Sequence, residues 1–173
     1  TGRYAVAKEV LSRPDVFTIQ KTAADDLRKG LGDYRRKELF DMRAFTATRL
    51  EITRNGKTTV FEKVKADKAD TADSWKRVSP AGADPDKEKF GAFVPALADV
   101  RAIEFVEAGP RTGLASPLLT VVAKYDDGKK EEKVSFGRNG QDAFAARTDD
   151  PGAARIDAEK LDDLLKSVDE FTK

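Results

Sequence analysis

The stretch Leu50-Glu51-Ile52-Thr53-Arg54-Asn55-Gly56-Lys57-Thr58-Thr59-Val60-Phe61 decides how this chain is read. Leu50 and Ile52 fall on one side of an alternating run, and Arg49, Glu51 and Thr53 on the other, which is the period of a half-buried strand. Asn55-Gly56 supplies the two positive-φ residues of a type I′ hairpin turn, and Thr58 to Val64 returns as the partner strand. Outward from this hairpin, a third strand is expected from Trp75 to Val78, ended by Pro80. Asp84-Pro85-Asp86 then opens a helix with the apolar stripe Phe90, Phe93, Val94 and Leu97. Pro95 inside that stripe predicts a kink or a fresh turn and a short regular helix. Ala102 to Val106 reads as a strand leaving it.

The same order returns further on. Val121-Val122-Ala123, the turn Asp127-Gly128, Val134 to Phe136, Phe144 to Ala146 and the stripe Leu161, Leu164, Leu165, Val168 repeat the hairpin, third strand and helix. Between the copies, Ala108 to Gly113 and Ser116-Pro117 read as a linker. Before both, Tyr4-Ala5-Val6, a turn at Ser12-Arg13-Pro14-Asp15, the strand Val16 to Ile19 and a helix capped by Thr22 look like the second half of such a unit without its opening hairpin. That helix is expected to run through Leu27, Leu31 and Tyr34 towards Phe40, although Gly30 and Gly32 weaken it by about 1 kcal/mol each. The expectation is an α+β protein of tandem related units, each an antiparallel β-hairpin plus third strand plus covering helix. A partial N-terminal unit occupies residues 1–47, the first full unit 48–108 and the second 114–173, and the missing hairpin places Thr1 inside a longer protein. Equivalent positions predict that Trp75, Phe93 and Leu97 pack in one unit, and Phe144, Leu164 and Val168 in the other.

Composition excludes more than it assigns. A chain of 173 residues buries roughly 70% of its unfolded surface and needs no metal or disulfide to hold it together. Lys plus Arg is 32 against 31 for Asp plus Glu, a net charge of +1, so no global field attracts nucleic acid. There is no Cys and no His, which removes disulfides, Ser-His-Asp and Cys-His nucleophiles, and the commonest metal ligand. No window of 18 residues is apolar enough to read as a membrane span.

The candidate clusters have ordinary readings. Arg35, Arg36 and Lys37 form the densest basic group, placed at a helix end where cations suit the dipole, and a partner contact is the functional reading. Asp67, Asp70 and Asp73 offer hard oxygen ligands, but their spacing of three does not fit a calcium loop. Asp126-Asp127 belongs to a turn, Asp162-Asp163 to the polar side of a helix, and Gly137-Arg138-Asn139-Gly140 lacks phosphate-loop spacing. Trp75, the one Trp, reads as a packing anchor rather than a sugar platform. No enzyme, cofactor or metal site is expected.

Asp33 to Phe40, the strand with Leu50 and Ile52, Trp75 followed by Pro80, and the Phe90 to Leu97 helix resemble the bacterial domain-of-unknown-function family 4340. Phe136-Gly137, Phe144 to Arg147 and the helix from Leu161 to Phe171 are similar to that family's repeated ending, and Tyr4 to Ile19 to an earlier copy of it. The resemblance implies a larger cell-envelope protein with an N-terminal membrane helix, often encoded beside ABC-type export or gliding-motility-like components, and brings no catalytic residues. The expected function is a non-catalytic extracytoplasmic binding or assembly module of a membrane-anchored envelope protein, accessory to an ABC-type transporter. Its expected partner is an envelope or transporter protein, with membrane attachment through a segment outside this chain. The alternative is a carbohydrate or small-ligand binding module.

Overall fold

A computed structural model of the chain describes residues 3–6, 16–66 and 73–172. It divides into two compact units, residues 1–36 and 37–173. In the first, β1 (Arg3–Val6) pairs antiparallel with β2 (Val16–Ile19), Arg3 standing opposite Ile19 and Val6 opposite Val16. A short helix α1 (Lys21–Asp26) follows, then a single turn α2 (Leu31–Tyr34). The continuous helix expected from Thr22 to Phe40 is therefore broken. Gln20, not Thr22, is the N-cap, and Gly30 is extended at φ −74° and ψ 166°. Glycine is a poor helix former, so little helical stability is lost by breaking there. Leu39, Phe40 and Met42, which a longer helix would have approached, are instead 4%, 2% and 1% exposed in the core of the second unit.

The second unit is α+β. Its strands are β3 (Ala47–Arg54), β4 (Lys57–Val64), β5 (Ser74–Ser79), β6 (Glu104–Val106), β7 (Leu119–Tyr125), β8 (Lys130–Asn139), β9 (Asp142–Arg147) and β10 (Ala153–Ile156). They form one sheet in the order β5-β4-β3-β7-β8-β9-β10-β6, with every neighbouring pair antiparallel. The first strands of the two sequence runs, β3 and β7, lie side by side near its centre. β6, which follows the first run, crosses to the far edge and pairs with β10.

The first hairpin turns as its sequence requires, with φ 52° at Asn55 and 74° at Gly56. The β7–β8 turn is wider, and Asp126, Asp127 and Gly128 all take positive φ. Two helices, α3 (Lys87–Ala98) and α4 (Ala158–Phe171), lie against one another on one face of the sheet. Asp86 and Asp157 cap them, each side chain accepting from two backbone N–H groups. Pro95 does not shorten α3, which continues to Ala98.

One core joins the two helices and the sheet. Phe90 is its aromatic centre, 4.7 Å from Phe61, 5.3 Å from Trp75, 5.7 Å from Phe93 and 5.1 Å from Phe171, centroid to centroid. Trp75, Phe93, Leu97, Leu164 and Val168 all belong to it or pack against it. Phe144 does not. It alternates with Ala143 and Ala145, whose side chains face the helices, so its own ring lies on the opposite face of the sheet.

That opposite face is where the expected linker has gone. A 3₁₀ turn at Pro110–Thr112 lies against β8 and β9. Thr112 is 4% exposed, and Asn139 donates to the Arg111 carbonyl at 2.8 Å. Gly113 has φ 69°, and a Cβ there would stand 2.2 Å from the Arg138 carbonyl oxygen. A Cβ on Gly137 would come within 2.7 Å of the Thr112 carbonyl oxygen. Two glycines thus let backbone meet backbone, and the segment is a strap fastened to the sheet.

Candidate binding surface on the open face of the sheet

The helices cover one face of the sheet and the strap covers part of the other. Between the strap and β5, the second face is mostly polar, with Val60 and Val122 set on either side of Glu51. Alternation brings out Arg49, Glu51 and Thr53 from β3, Thr58 and Glu62 from β4, Thr120 and Lys124 from β7, and Glu131, Lys133 and Ser135 from β8. Their partners are one another. Arg49 donates from Nε to Glu51 at 3.0 Å and also bonds Glu62, and hydrogen bonding to Glu51 raises its already high pKa. Lys124 meets Glu131 at 3.3 Å. The hydroxyls of Thr53 and Thr58 are 2.8 Å apart, and those of Thr120 and Ser135 3.3 Å. Half-exposed ion pairs of this kind contribute about 0–1 kcal/mol each to stability. Their effect is to hold charges of both signs at fixed positions, which favours recognition of a complementary surface.

A second polar cluster, which sequence reasoning passed over, lies at the end of the sheet on the helix side. Glu132 is 7% exposed, and its two oxygens accept the backbone N–H groups of Asp41 and Met42, both at 2.8 Å. The Asp41 carboxylate in turn receives Arg147 at 3.1 Å, and Arg147 also holds Asp149. Burial raises the Glu132 carboxyl above its ordinary 4.5, outweighing the two N–H bonds that lower it. Burial likewise raises the nearby Tyr125 phenol, while hydrogen bonding to Arg147 lowers Asp149. The arrangement clamps the segment entering β3 onto β8. A signal was available, since Glu132 is in phase with Val134 and Phe136 on the buried side of its strand.

The sequence candidates are spread apart. Arg35 caps the end of α2, half-buried, and Arg36 is exposed. Lys37 begins the second unit, its carbonyl accepting from Ala102 N–H at 2.7 Å. Asp67 and Asp70 lie outside the described residues. Asp73 pairs with Lys63 at 3.3 Å and accepts Ala66 N–H at 3.1 Å. Trp75 lies in the wall of a cleft of about 640 Å³ with Asp73, Ser74, Asp84, Lys87 and Glu88. Among the described residues no helix is long and apolar enough to cross a membrane.

In comparison with known proteins, a family described as "Domain of unknown function (DUF4340)" matches residues 2–117, a span from the N-terminal unit to the strap. No curated protein and no solved structure matches the chain.

Proposed function

The chain belongs to the DUF4340 family, and from that premise we propose that it is a non-catalytic binding or assembly module on the extracytoplasmic side of a membrane-anchored envelope protein, accessory to an ABC-type transporter. The observation that carries the reading is the open sheet face, where Arg49, Glu51, Glu62, Lys124 and Glu131 hold one another in place on rigid strands. A partner with complementary charge can dock there with little loss of side-chain freedom. The two runs, 48–108 and 114–173, are read as related units whose first strands meet at the sheet centre, and 1–47 as part of a further one. Arg35, Arg36 and Lys37 offer a basic contact for an acidic partner. Attachment to the membrane through a segment beyond this chain makes a weak interface sufficient, because tethering raises the effective concentration to the millimolar range.

The test is to express the full-length protein in its native host, crosslink, fractionate and identify partners, with Arg49→Glu and Lys124→Glu in parallel. The reading expects a membrane-protein partner that the double variant loses. Recovery from the soluble cytoplasm without a membrane-protein partner would sink it. A carbohydrate or small-ligand module is the second reading, favoured by the Trp75 cleft with its surrounding polar side chains. Saturable quenching of Trp75 fluorescence by an oligosaccharide, with the crosslinked partner absent, would move the assignment there.

A further inference from the structure

Both asparagines of the chain, Asn55 and Asn139, are followed by glycine. The main-chain nitrogen of a residue that follows asparagine can close a five-membered ring with the asparagine Cγ, and glycine has no side chain to screen that nitrogen. The two groups sit on one chain and react as an intramolecular pair once the backbone brings them together. The two sites differ in how firmly each is held. Asn139 is the last residue of β8 and pairs with Asp142 across the turn. Its side-chain Nδ2 donates to the Arg111 carbonyl at 2.8 Å. Turning the Gly140 nitrogen onto its Cγ would cost a ladder pair and a fastening of the strap.

Asn55 has neither restraint. The ladder of β3 and β4 closes at Arg54 and Lys57, so Asn55 and Gly56 form the loop beyond it. Asn55 is exposed, and among the described residues its side chain makes no hydrogen bond. Gly56 has no atom within 4 Å of where a Cβ would stand, so the loop can rotate about the bond between the two residues without collision. Lys57 follows, also exposed, and its ammonium favours the negative charge that builds on an attacked amide oxygen.

We propose that Asn55 is a site of self-modification, at which the Gly56 nitrogen attacks Cγ of Asn55 and converts the hairpin tip to aspartate and isoaspartate forms while Asn139 stays intact. In the first step the Gly56 nitrogen loses its proton to a solvent base and bonds to Cγ. The Cγ–Nδ2 bond then breaks, and the amide nitrogen takes up a proton and leaves as ammonia. A succinimide ring remains. Water adds to one of its two carbonyl carbons, and the ring C–N bond at that carbon breaks. Opening at Cγ restores the main chain with aspartate at position 55, and opening at the main-chain carbonyl sends the chain through Cβ and Cγ as isoaspartate. Water is the one reagent consumed and ammonia the one product released. Aspartate tolerates the φ of 52° found at this position much as asparagine does, and it adds a carboxylate between Arg54 and Lys57. Isoaspartate lengthens the loop by one main-chain atom, which a two-residue turn cannot absorb without disturbing the register of β3 on β4. The proposal goes beyond the binding reading and does not depend on it.

The test holds the purified chain in mildly alkaline buffer, one sample folded and one unfolded in guanidinium, and withdraws portions over days. Cleavage after glutamate gives fragments 52–62 and 133–159, each with one asparagine, and mass spectrometry follows the change from amide to acid in each. In the folded sample Asn55 is expected to convert at least tenfold faster than Asn139. In guanidinium, where neither site is held, the two rates should come together. Carboxyl methylation by an isoaspartate-specific methyltransferase identifies the second product in fragment 52–62. Asn55→Gln, which would need a larger ring, should abolish the change there. An Asn55 that stays intact in the folded sample after converting in guanidinium would overturn the proposal, and so would an Asn139 that converts as fast as Asn55 when folded.

Discussion

The two runs of the second unit, β3 to α3 and β7 to α4, set helix stripes of one spacing into one core by different means. The stripe of α3 is half aromatic, and Phe90 touches the rings of Phe61, Trp75, Phe93 and Phe171. The stripe of α4 is aliphatic until Phe171. The third strands account for the contrast. β5 is an edge, with β4 as its one paired neighbour, whereas β9 lies between β8 and β10. An edge strand has fewer main-chain bonds to hold it and is fastened by a large ring reaching in from Trp75. An interior strand is already held on both sides, so Ala143 and Ala145 suffice and α4 packs with branched aliphatics. The spacing of a stripe follows from helix geometry, while the size of its side chains follows from how the adjoining strand is flanked.

If that is right, Phe90→Ala should be the most damaging change, costing about 3–5 kcal/mol, with Leu164→Ala at about 2–5 kcal/mol. Urea midpoints read both, and a smaller loss for Phe90 would break the contrast between the runs. Turns and straps come next. Gly113→Ala should cost about 1–3 kcal/mol through positive φ and its collision with Arg138, whereas Gly56→Ala, with open space around it, should cost about 1 kcal/mol. Equal losses would mean that the strap yields without resistance. Glu132→Gln replaces one acceptor oxygen with a donor, leaving Asp41 or Met42 N–H unmatched, for about 1–3 kcal/mol.

The same variant has a pH signature. Burial raises the folded-state pKa of Glu132 above 4.5, so the folded protein holds this proton more tightly than the unfolded chain. Its contribution is full below the unfolded value and is lost as pH rises through the folded one. The stability advantage of the parent over Glu132→Gln should therefore shrink as pH rises through that window, measured by urea midpoints at successive pH values. Asp149 has the opposite sign, lowered by Arg147, and its contribution is lost as pH falls. The smallest effects belong to the caps. Asp86→Ala and Asp157→Ala should each cost about 1 kcal/mol, and their equality would show that both runs start their helices by one device.

The hairpin at Asn55-Gly56, the alternation of Leu50 and Ile52, and α4 between Ala158 and Phe171 were legible because local chemistry decides them. Phe144 was misplaced because alternation says which residues share a face, not which face is the core, and small Ala143 and Ala145 hid the core side. Ala108 to Gly113 looked like a linker because Gly and Pro mark loops whether free or fastened; only the approach of Gly113 to Arg138 tells them apart. The helix towards Phe40 failed where tertiary burial of Leu39, Phe40 and Met42 overrode a weak, glycine-interrupted helix. Of the candidate surface, Arg49, Glu51 and Thr53 were legible as one polar side of a strand. Their partners Glu62 and Thr58 depended on hairpin register, and Lys124 and Glu131 on pairing across a longer separation.

The crossing of β6 sets a timetable for synthesis. Glu104, on that strand, meets Arg155 of β10 across 51 positions of sequence. At elongation rates of about 5–20 residues per second, β6 is made about 3–10 s before its partner. Throughout that interval the first run can form its hairpin but cannot close the sheet, since β6 has yet to meet Ala153 to Arg155. The strand that follows the first run is thus completed only when the second run is nearly finished, and the two runs mature together.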